Sequence, residues 1–316
     1  MELKKIFTKS LLTKVVLTTA LLLGVLFHGN RVQAYTTDGV SNLEQTNMTT
    51  TSASIKWNGI SNATGYQIVL NNSTLATVSG TSYTINNLEL GSSQYVYVYP
   101  VNATGERGWL FKSVQVKTTP KNVANFQIDN KWLNIKSFRL SWDVAKPAPD
   151  KYEVSIYNGK NKLVSSSSLG GGSAAAGYLY VDNFKEGESY TYKIRAYNEL
   201  GTKKYYSNYS TVGFIPQFKV TKAKVSNKRL QVAWKKVSGA TSYDIYVSNS
   251  PKSGYKKVKT VGKNTTKFNL AKFKNKAINK NKNYYVRVVA KRKIGSKMVS
   301  SEKYYYRGNK VGLKRF

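Results

Sequence analysis

The chain has 316 residues, of which 50 are lysine or arginine and 15 are aspartate or glutamate, giving a formal net charge of +35. It contains no cysteine, which excludes disulfides, cysteine nucleophiles and cysteine-ligated zinc. Its one histidine, His28, falls in the first segment of the chain, and removal of that segment would also exclude a Ser–His–Asp triad.

The first 34 residues follow the pattern of an export signal. A lysine-containing start leads into a hydrophobic run over residues 15–27, which is short for a bilayer span, and Val32-Gln33-Ala34 suits a signal peptidase. We therefore predict a signal peptide over residues 1–34, with an uncleaved anchor as the alternative. No later stretch is comparably apolar, so we expect a secreted, extracellular protein with no integral membrane span after cleavage.

Three tryptophans repeat in similar settings further along the chain. Trp57, Trp142 and Trp234 each end a short alternating segment, and the intervals between them are 85 and 92 residues. Proline cannot donate to a sheet ladder, so Pro120 and Pro216 suit joints between domains. The predicted domains are residues 35–119, 120–216 and 217–316, the last with a short basic C-terminal tail.

Each predicted domain also contains a longer segment in which apolar and polar residues alternate. These segments are residues 95–99, 190–196 and 284–290, and they are rich in Val, Ile and Tyr. A period of two is typical of half-buried antiparallel strands. The sequence therefore predicts an all-β protein made of three tandem domains of sandwich size.

The approach to each of these segments resembles that of the fibronectin type III domain, particularly its tandem form in secreted bacterial, Gram-positive-like surface proteins. The second domain has the spacing Phe184, Gly187 and Tyr190, the first has Leu88, Gly91 and Tyr95 with one more residue after the glycine, and the third lacks the glycine. The resemblance implies three tandem immunoglobulin-like β-sandwiches, with core positions for the three tryptophans. It also implies that Tyr95, Tyr190 and Tyr284 are core residues whose hydroxyls bond to nearby backbone. It says little about function, because this fold serves as spacer, adhesive module and receptor domain alike.

Charge is distributed very unevenly among the three predicted domains. Residues 35–119 hold four basic and four acidic residues, residues 120–216 hold thirteen and eight, and residues 217–316 hold twenty-eight and two. Small domains need a net charge of only about 2–8 for solubility. The excess in the third domain therefore predicts a binding function for its charge.

The densest basic stretch, residues 263–293, contains no acid. The residues predicted to bind polyanion are Lys256, Lys257, Lys259, Lys263, Lys267, Lys272, Lys274, Lys276, Lys280, Lys282, Arg287, Lys291, Arg292 and Lys293. Lysine is a strongly hydrated point charge, and arginine is the better fork for bidentate recognition. A surface dominated by lysine favours diffuse attraction to a polymer, with strong dependence on salt.

The predicted partner is an anionic cell-wall polymer of the teichoic-acid type, which would make the protein cell-wall associated. Other extracellular polyanions are acidic polysaccharides, anionic lipid headgroups and released DNA. The first two domains would remain available for adhesion or spacing, with a possible carbohydrate or protein ligand. The alternatives are a structural spacer or adhesin whose charge serves solubility only, and an extracellular nucleic-acid binder.

Three other features of the sequence bear on whether the protein binds a small ligand or catalyses a reaction. Trp109 is a candidate sugar-stacking residue, with packing in the last strand of its domain as the alternative. Residues 165–177 are rich in serine and glycine but lack the lysine of a phosphate-binding loop, so we predict a flexible loop. No pair of carboxylates is placed for glycoside chemistry. We therefore predict a protein that is not an enzyme and that uses no cofactor or metal.

Overall fold

The computed structural model describes residues 39–129, 137–170, 175–216, 218–301, 304–307 and 310–315. The predicted signal peptide, residues 1–34, lies outside these ranges. Among the described residues, no helix has the length and apolar character needed to cross a membrane. Regular structure in these ranges consists of 26 β-strands.

The chain divides into two compact units. The described residues of one fall in 39–45, 54–85 and 94–116. Those of the other fall in 46–53, 86–93 and from 117 onward, so the second unit includes the second and third sandwiches.

The first sandwich contains seven strands in two antiparallel sheets of order β1-β2-β5 and β4-β3-β6-β7. The strands are β1 (Ser41–Met48), β2 (Ala53–Asn58), β3 (Gly65–Leu70), β4 (Ser73–Val78), β5 (Ser82–Ile85), β6 (Ser93–Val101) and β7 (Lys112–Lys117).

The second sandwich has sheets of order β8-β9-β12 and β11-β10-β13-β14, and β15 also pairs with β13. Its strands are β8 (Gln127–Asp129), β9 (Phe138–Ser141), β10 (Lys151–Asn158), β11 (Leu163–Leu169), β12 (Tyr178–Val181), β13 (Tyr190–Leu200), β14 (Lys203–Tyr206) and β15 (Ser210–Phe214). The segment predicted as a loop over residues 165–177 is therefore partly strand. The serines of β11 pair in register with β10, because small polar side chains are compatible with an exposed edge strand.

The third sandwich has sheets of order β16-β17-β20 and β19-β18-β23-β25-β26, with β24 also paired to β23, and a separate pair β21-β22. Its strands are β16 (Val220–Ser226), β17 (Arg229–Trp234), β18 (Ser242–Ser248), β19 (Lys256–Gly262), β20 (Lys267–Leu270), β21 (Lys272–Phe273), β22 (Lys276–Ala277), β23 (Tyr285–Ile294), β24 (Lys297–Ser300), β25 (Tyr304–Arg307) and β26 (Lys310–Arg315).

The same strand order therefore occurs three times. In each sandwich the first, second and fifth main strands form one sheet, and the third, fourth, sixth and seventh form the other. This is the arrangement of a fibronectin type III-like sandwich, as the sequence predicts. The chain is all-β, with three tandem immunoglobulin-like sandwiches.

The core of each sandwich contains a tryptophan in its second strand or directly after it, and a tyrosine from its third strand. Trp57, Trp142 and Trp234 are at most 5% exposed. The ring centroids are 5.4 Å apart in Trp57–Tyr66, 5.6 Å in Trp142–Tyr152 and 5.4 Å in Trp234–Tyr243. Burial raises the pKa of Tyr152 and of Tyr243 above the ordinary value for tyrosine.

The hydroxyl of the third-strand tyrosine accepts a hydrogen bond from the backbone of the preceding turn in all three sandwiches. The donors are Ile60 N at 2.9 Å from Tyr66, Ala145 N at 3.4 Å from Tyr152 and Val237 N at 2.8 Å from Tyr243. The tyrosine follows its tryptophan by 9, 10 and 9 residues. This recurrent contact fixes the turn that joins the two sheets.

The tyrosine at or next to the start of the sixth main strand is buried in the second and third sandwiches only. Tyr190 and Tyr284 are 6% and 3% exposed, and their hydroxyls accept hydrogen bonds from Lys185 N at 2.8 Å and Asn279 N at 3.1 Å. Tyr95 is 56% exposed, so its predicted core position is wrong.

The cause of this difference lies in the spacing. Tyr190 follows Gly187 by three residues, whereas Tyr95 follows Gly91 by four. Successive side chains of a strand point to opposite faces, so a shift of one residue moves a side chain from the core to the solvent. In β6 the alternate residues Val96, Val98 and Pro100 are accordingly buried, and Tyr95 lies on the other face.

Candidate polyanion-binding surface

Eleven of the fourteen predicted polyanion-binding residues are exposed in the structure. They are Lys256, Lys257, Lys259, Lys263, Lys267, Lys272, Lys274, Lys276, Lys280, Lys282 and Lys293. Arg287 and Lys291 are half-buried, and Arg292 is buried. The exposed members fall on separate parts of the third sandwich, so the structure distributes them over its surface and does not gather them into one pocket.

The most regular group is a small hairpin between β20 and β23, which we call the lysine hairpin (residues 272–277). Lys274 and Asn275 both have positive φ, of 51° and 61°. Two consecutive residues in this region form the type I′ turn that suits a two-residue hairpin loop. The pairing places Lys272 opposite Ala277 and Phe273 opposite Lys276.

Apolar residues fix the lysine hairpin to the core beneath it. Phe273 and Ile278 are 6% and 4% exposed, and the ring of Phe273 lies 6.4 Å from that of Tyr284. Lys272, Lys274 and Lys276 are exposed. The segment therefore presents three ammonium groups on an anchored support, which reduces the entropy lost when they bind.

A second group lies on the sheet formed by β16, β17 and β20, and the sequence analysis identified only one of its members, Lys267. Lys222 pairs with Ala233, which pairs with Lys267, so these three residues form a row across the sheet. Neighbouring strands are about 4.8 Å apart, which separates the two lysines by roughly 10 Å. Lys224 is also exposed and lies one alternation along the same strand. The signal for this face was the alternation Lys222-Ala223-Lys224-Val225, in which Ala223 is buried.

The third group lies on the outer face of β18, β19 and β23, where Asp244 neutralises part of the charge. Asp244 is 1% exposed, and its carboxylate forms ion pairs with Lys291 at 2.6 Å and Lys257 at 3.7 Å. Its Oδ1 also accepts a hydrogen bond from Thr260 Oγ1 at 2.6 Å. Burial alone would raise the pKa of Asp244, but the hydrogen bonds from Lys291 and Thr260 and the nearby positive charges lower it below the ordinary value.

Arg287 belongs to the same face and is also engaged within the protein. Its guanidinium lies 3.6 Å from the centroid of the Tyr255 ring, a cation–π contact. Arg287, Lys291 and Lys257 therefore contribute less to an external partner than the lysines of the hairpin and of the β16–β17–β20 sheet.

Arg292 is not part of the exposed polyanion-binding surface, because its side chain is buried and engaged within the protein. Its side chain is 5% exposed and donates to Ser189 Oγ at 2.9 Å and to Asn161 Oδ1 at 2.8 Å. Burial lowers the pKa of Arg292. Residue 292 shares its strand face with Val288 and Ala290, which face the core, and the strand continues past the sandwich so that this arginine reaches the second one.

Trp109 occupies a different kind of environment in the first sandwich. It precedes β7 and is 90% exposed, which contradicts the alternative that it packs within the last strand. Nearby, Phe111 lies 5.0 Å from the ring of Tyr99, and the guanidinium of Arg107 lies 4.2 Å from the same ring.

In the described part of the chain, no group of three or more His, Cys, Asp or Glu residues is placed to hold a metal ion.

Comparison with known proteins identifies similar solved structures only. No protein-family model matches the chain. No curated protein matches it significantly. The FN1–FN3 domains of chicken CNTN1 have 13% identity and a TM-score of 0.27, with 88% of this chain and 99% of that chain covered. A segment of two fibronectin type III domains from chicken tenascin has 15% identity and a TM-score of 0.30, with 62% of this chain and 99% of that chain covered. The repeated strand order, and not these alignments, identifies the fold.

Proposed function

We propose that the chain is an exported, non-catalytic binding or adhesion protein whose third sandwich attaches it to an anionic polymer of the cell surface. A phosphate-rich wall polymer of the teichoic-acid type is the partner that best fits a diffuse lysine surface outside the cell. The first two sandwiches then carry the adhesive or spacing role, and their ligand is a carbohydrate or a protein.

The observation that carries this proposal is the exposed and largely unneutralised charge of the third sandwich. Over residues 218–301 the sequence holds 23 lysines and arginines and one acid, Asp244. That acid is buried and already paired with Lys291 and Lys257. Like charges at this density destabilise a compact domain, and an anionic partner relieves the repulsion.

The dominance of lysine determines how the binding should behave. Point charges attract a polyanion through released counterions, without reading a defined group. On a phosphate polymer, a protein with about 6–10 contacts loses roughly 10³–10⁵ in affinity between 50 and 200 mM salt. We expect adsorption to anionic walls with a comparably steep dependence on salt.

The test uses the full chain and two matched triple variants. One replaces Lys272, Lys274 and Lys276 of the lysine hairpin by glutamine, and the other replaces three exposed lysines of the second sandwich, Lys160, Lys162 and Lys203. Both remove the same charge. Sedimentation with anionic walls, with walls stripped of phosphate polymer, and with duplex DNA measures binding as a function of salt.

We expect the hairpin variant to bind intact walls less tightly, with a salt slope smaller by about three, and the control to bind nearly as well as the original protein. Walls stripped of phosphate polymer should bind neither variant. Equal wall binding by all three proteins, with lower solubility of the hairpin variant, would support the alternative that the charge serves solubility. Tight binding to DNA without binding to walls would support the nucleic-acid alternative.

A further inference from the structure

The second and third sandwiches are joined by hydrogen bonds between buried or half-buried groups. Ser238 N donates to Gly187 O at 2.8 Å, and Ser189 Oγ donates to Ser238 O at 2.6 Å. Arg292 links the same Ser189 to Asn161. A buried guanidinium without these partners would be costly, so the two sandwiches are held in one orientation.

Close packing at a glycine adds to this fixed orientation. Gly213 in β15 faces the hairpin formed by β23 and β24. A Cβ atom at this position would collide with Cδ1 of Ile294 and would lie 2.7 Å from Cγ2 of Val299. A larger residue at position 213 would therefore force the side chains of Ile294 and Val299 to shift where the hairpin of the third sandwich contacts the sheet of the second.

Beside this junction lies a cleft of about 870 Å³ between the two sandwiches. Thr191, Lys193 and Thr211 line it from the second sandwich, and Ile294 and Met298 line it from the third. Clefts that bind small ligands have volumes of roughly 300–1,000 Å³ and occur preferentially between domains. The cleft is thus large enough for an organic ligand, and its walls are held in place before a ligand arrives.

The charge of the lining is entirely positive. Lys193, Arg292, Lys293 and Lys297 line the cleft, and none of its lining residues is acidic. Glu188 lies close enough to influence Arg292, but it is not part of the lining. Lys193 Nζ lies 4.7 Å from the ring of Tyr157, and neither Lys293 nor Lys297 forms an ion pair with a described residue.

We propose that this cleft is a discrete binding site for a short segment of a phosphodiester-linked polymer. The lysines contact phosphate groups, and Val212, Ile294 and Met298 contact the carbon units between them. The identity of the polymer rests on the proposed function, but the site itself does not. The lysine surface binds long polymers diffusely, whereas the cleft binds a few repeats with defined stoichiometry.

The experiment measures binding of a short, defined poly(glycerol phosphate) oligomer to the full chain by isothermal titration calorimetry at physiological salt. The cleft variant is K293A/K297A, and its matched control is K203A/K204A, which removes the same two charges from exposed positions of the second sandwich outside the cleft lining. A third variant, T211W, fills the cleft without changing charge. Thermal unfolding checks that each variant is folded.

We expect one oligomer per chain, with affinity lowered about tenfold or more by K293A/K297A and by T211W, and less than about twofold by K203A/K204A. Equal loss in the two lysine variants, or no effect of T211W, would overturn the cleft site. Failure of the oligomer to bind to a protein that still binds intact walls would also overturn the cleft site.

Anionic phospholipid vesicles form a second arm of the experiment. Binding of the protein to vesicles but not to the oligomer would also overturn the assignment. Failure of wall binding in the original protein would refute the proposed function, and oligomer binding would still test the cleft separately.

Discussion

Replacement of Asp244 by asparagine should destabilise the third sandwich, because this carboxylate is buried and paired. Asp244 is the one acid in residues 218–301, and it is 1% exposed. Asparagine has nearly the same volume, so the D244N variant creates no cavity. It can still accept the bond from Thr260, but it places a neutral amide against the ammonium of Lys291, 2.6 Å from the present carboxylate oxygen.

The size of the effect follows from what is lost. A hydrogen bond to a charged group contributes about 1.5–3 kcal/mol, and removal of one partner from a buried ion pair costs about 3–5 kcal/mol. Lys291 is 28% exposed at its side chain, so solvent reduces the second figure. We therefore expect D244N to lower the local free energy of unfolding by about 2–3 kcal/mol.

Native-state hydrogen exchange of the full chain measures this quantity for peptides that cover β18 and β23, without the assumption that three sandwiches unfold as one. The control is K257A, because Lys257 lies 3.7 Å from the carboxylate and is 50% exposed. That change should lower the free energy of unfolding by less than about 1 kcal/mol. Similar losses in D244N and K257A would refute the view that the buried pair with Lys291 dominates.

The same residue gives a dependence on pH. Because the pKa of Asp244 is lower in the folded protein than in the unfolded chain, its contribution is complete above the unfolded value of about 3.9. The contribution is lost as pH falls from that value through the folded pKa. D244N should therefore remove part of the acid sensitivity of β18 and β23, and an unchanged pH profile would contradict this reasoning.

Three further substitutions test the tyrosines. Y243F removes the hydroxyl that accepts from Val237 N at 2.8 Å and leaves that buried N–H without its partner, so the free energy of unfolding should fall by about 1–3 kcal/mol in denaturant titrations. An unchanged midpoint would show that the hydroxyl does not stabilise the turn. Y95S should change stability by less than about 0.5 kcal/mol because Tyr95 is exposed, whereas Y190F should cost about 1–3 kcal/mol through its bond from Lys185 N. Equal effects at these two positions would contradict the assignment of opposite faces.

Alternation in the sequence, together with the resemblance to fibronectin type III domains, was enough to predict the sandwiches, because burial of one sheet face imposes a period of two on every long strand. The prediction failed where the face that a side chain occupies depends on the insertion of a single residue. Tyr95 occupies the place of Tyr190 in the motif, yet one added residue after Gly91 places it on the outer face. A composition motif that ignores this count cannot distinguish a core tyrosine from an exposed one.

The sequence predicted that the third sandwich has a lysine-rich surface, but it predicted less well which residues form that surface. Density of lysine identified the hairpin and its neighbours, whereas Lys222 and Lys224 were overlooked because they join Lys267 only through strand pairing that is distant in sequence. Arg292 was misassigned for a related reason. Its burial depends on Ser189 and Asn161, which lie more than 100 residues away, and local charge carries no information about such contacts.

The position of Arg292 at the end of β23 has a mechanical consequence for a protein tethered through its third sandwich. The strand that supplies Val286, Val288 and Ala290 to the core also supplies the side chain that grips the neighbouring sandwich. A force applied through the third sandwich would act on both sandwiches through one continuous strand. The contacts of Arg292 with the second sandwich and the core packing of the third should therefore break in the same unfolding event. Under tension, the second and third sandwiches would then unfold as one mechanical unit and not one after the other.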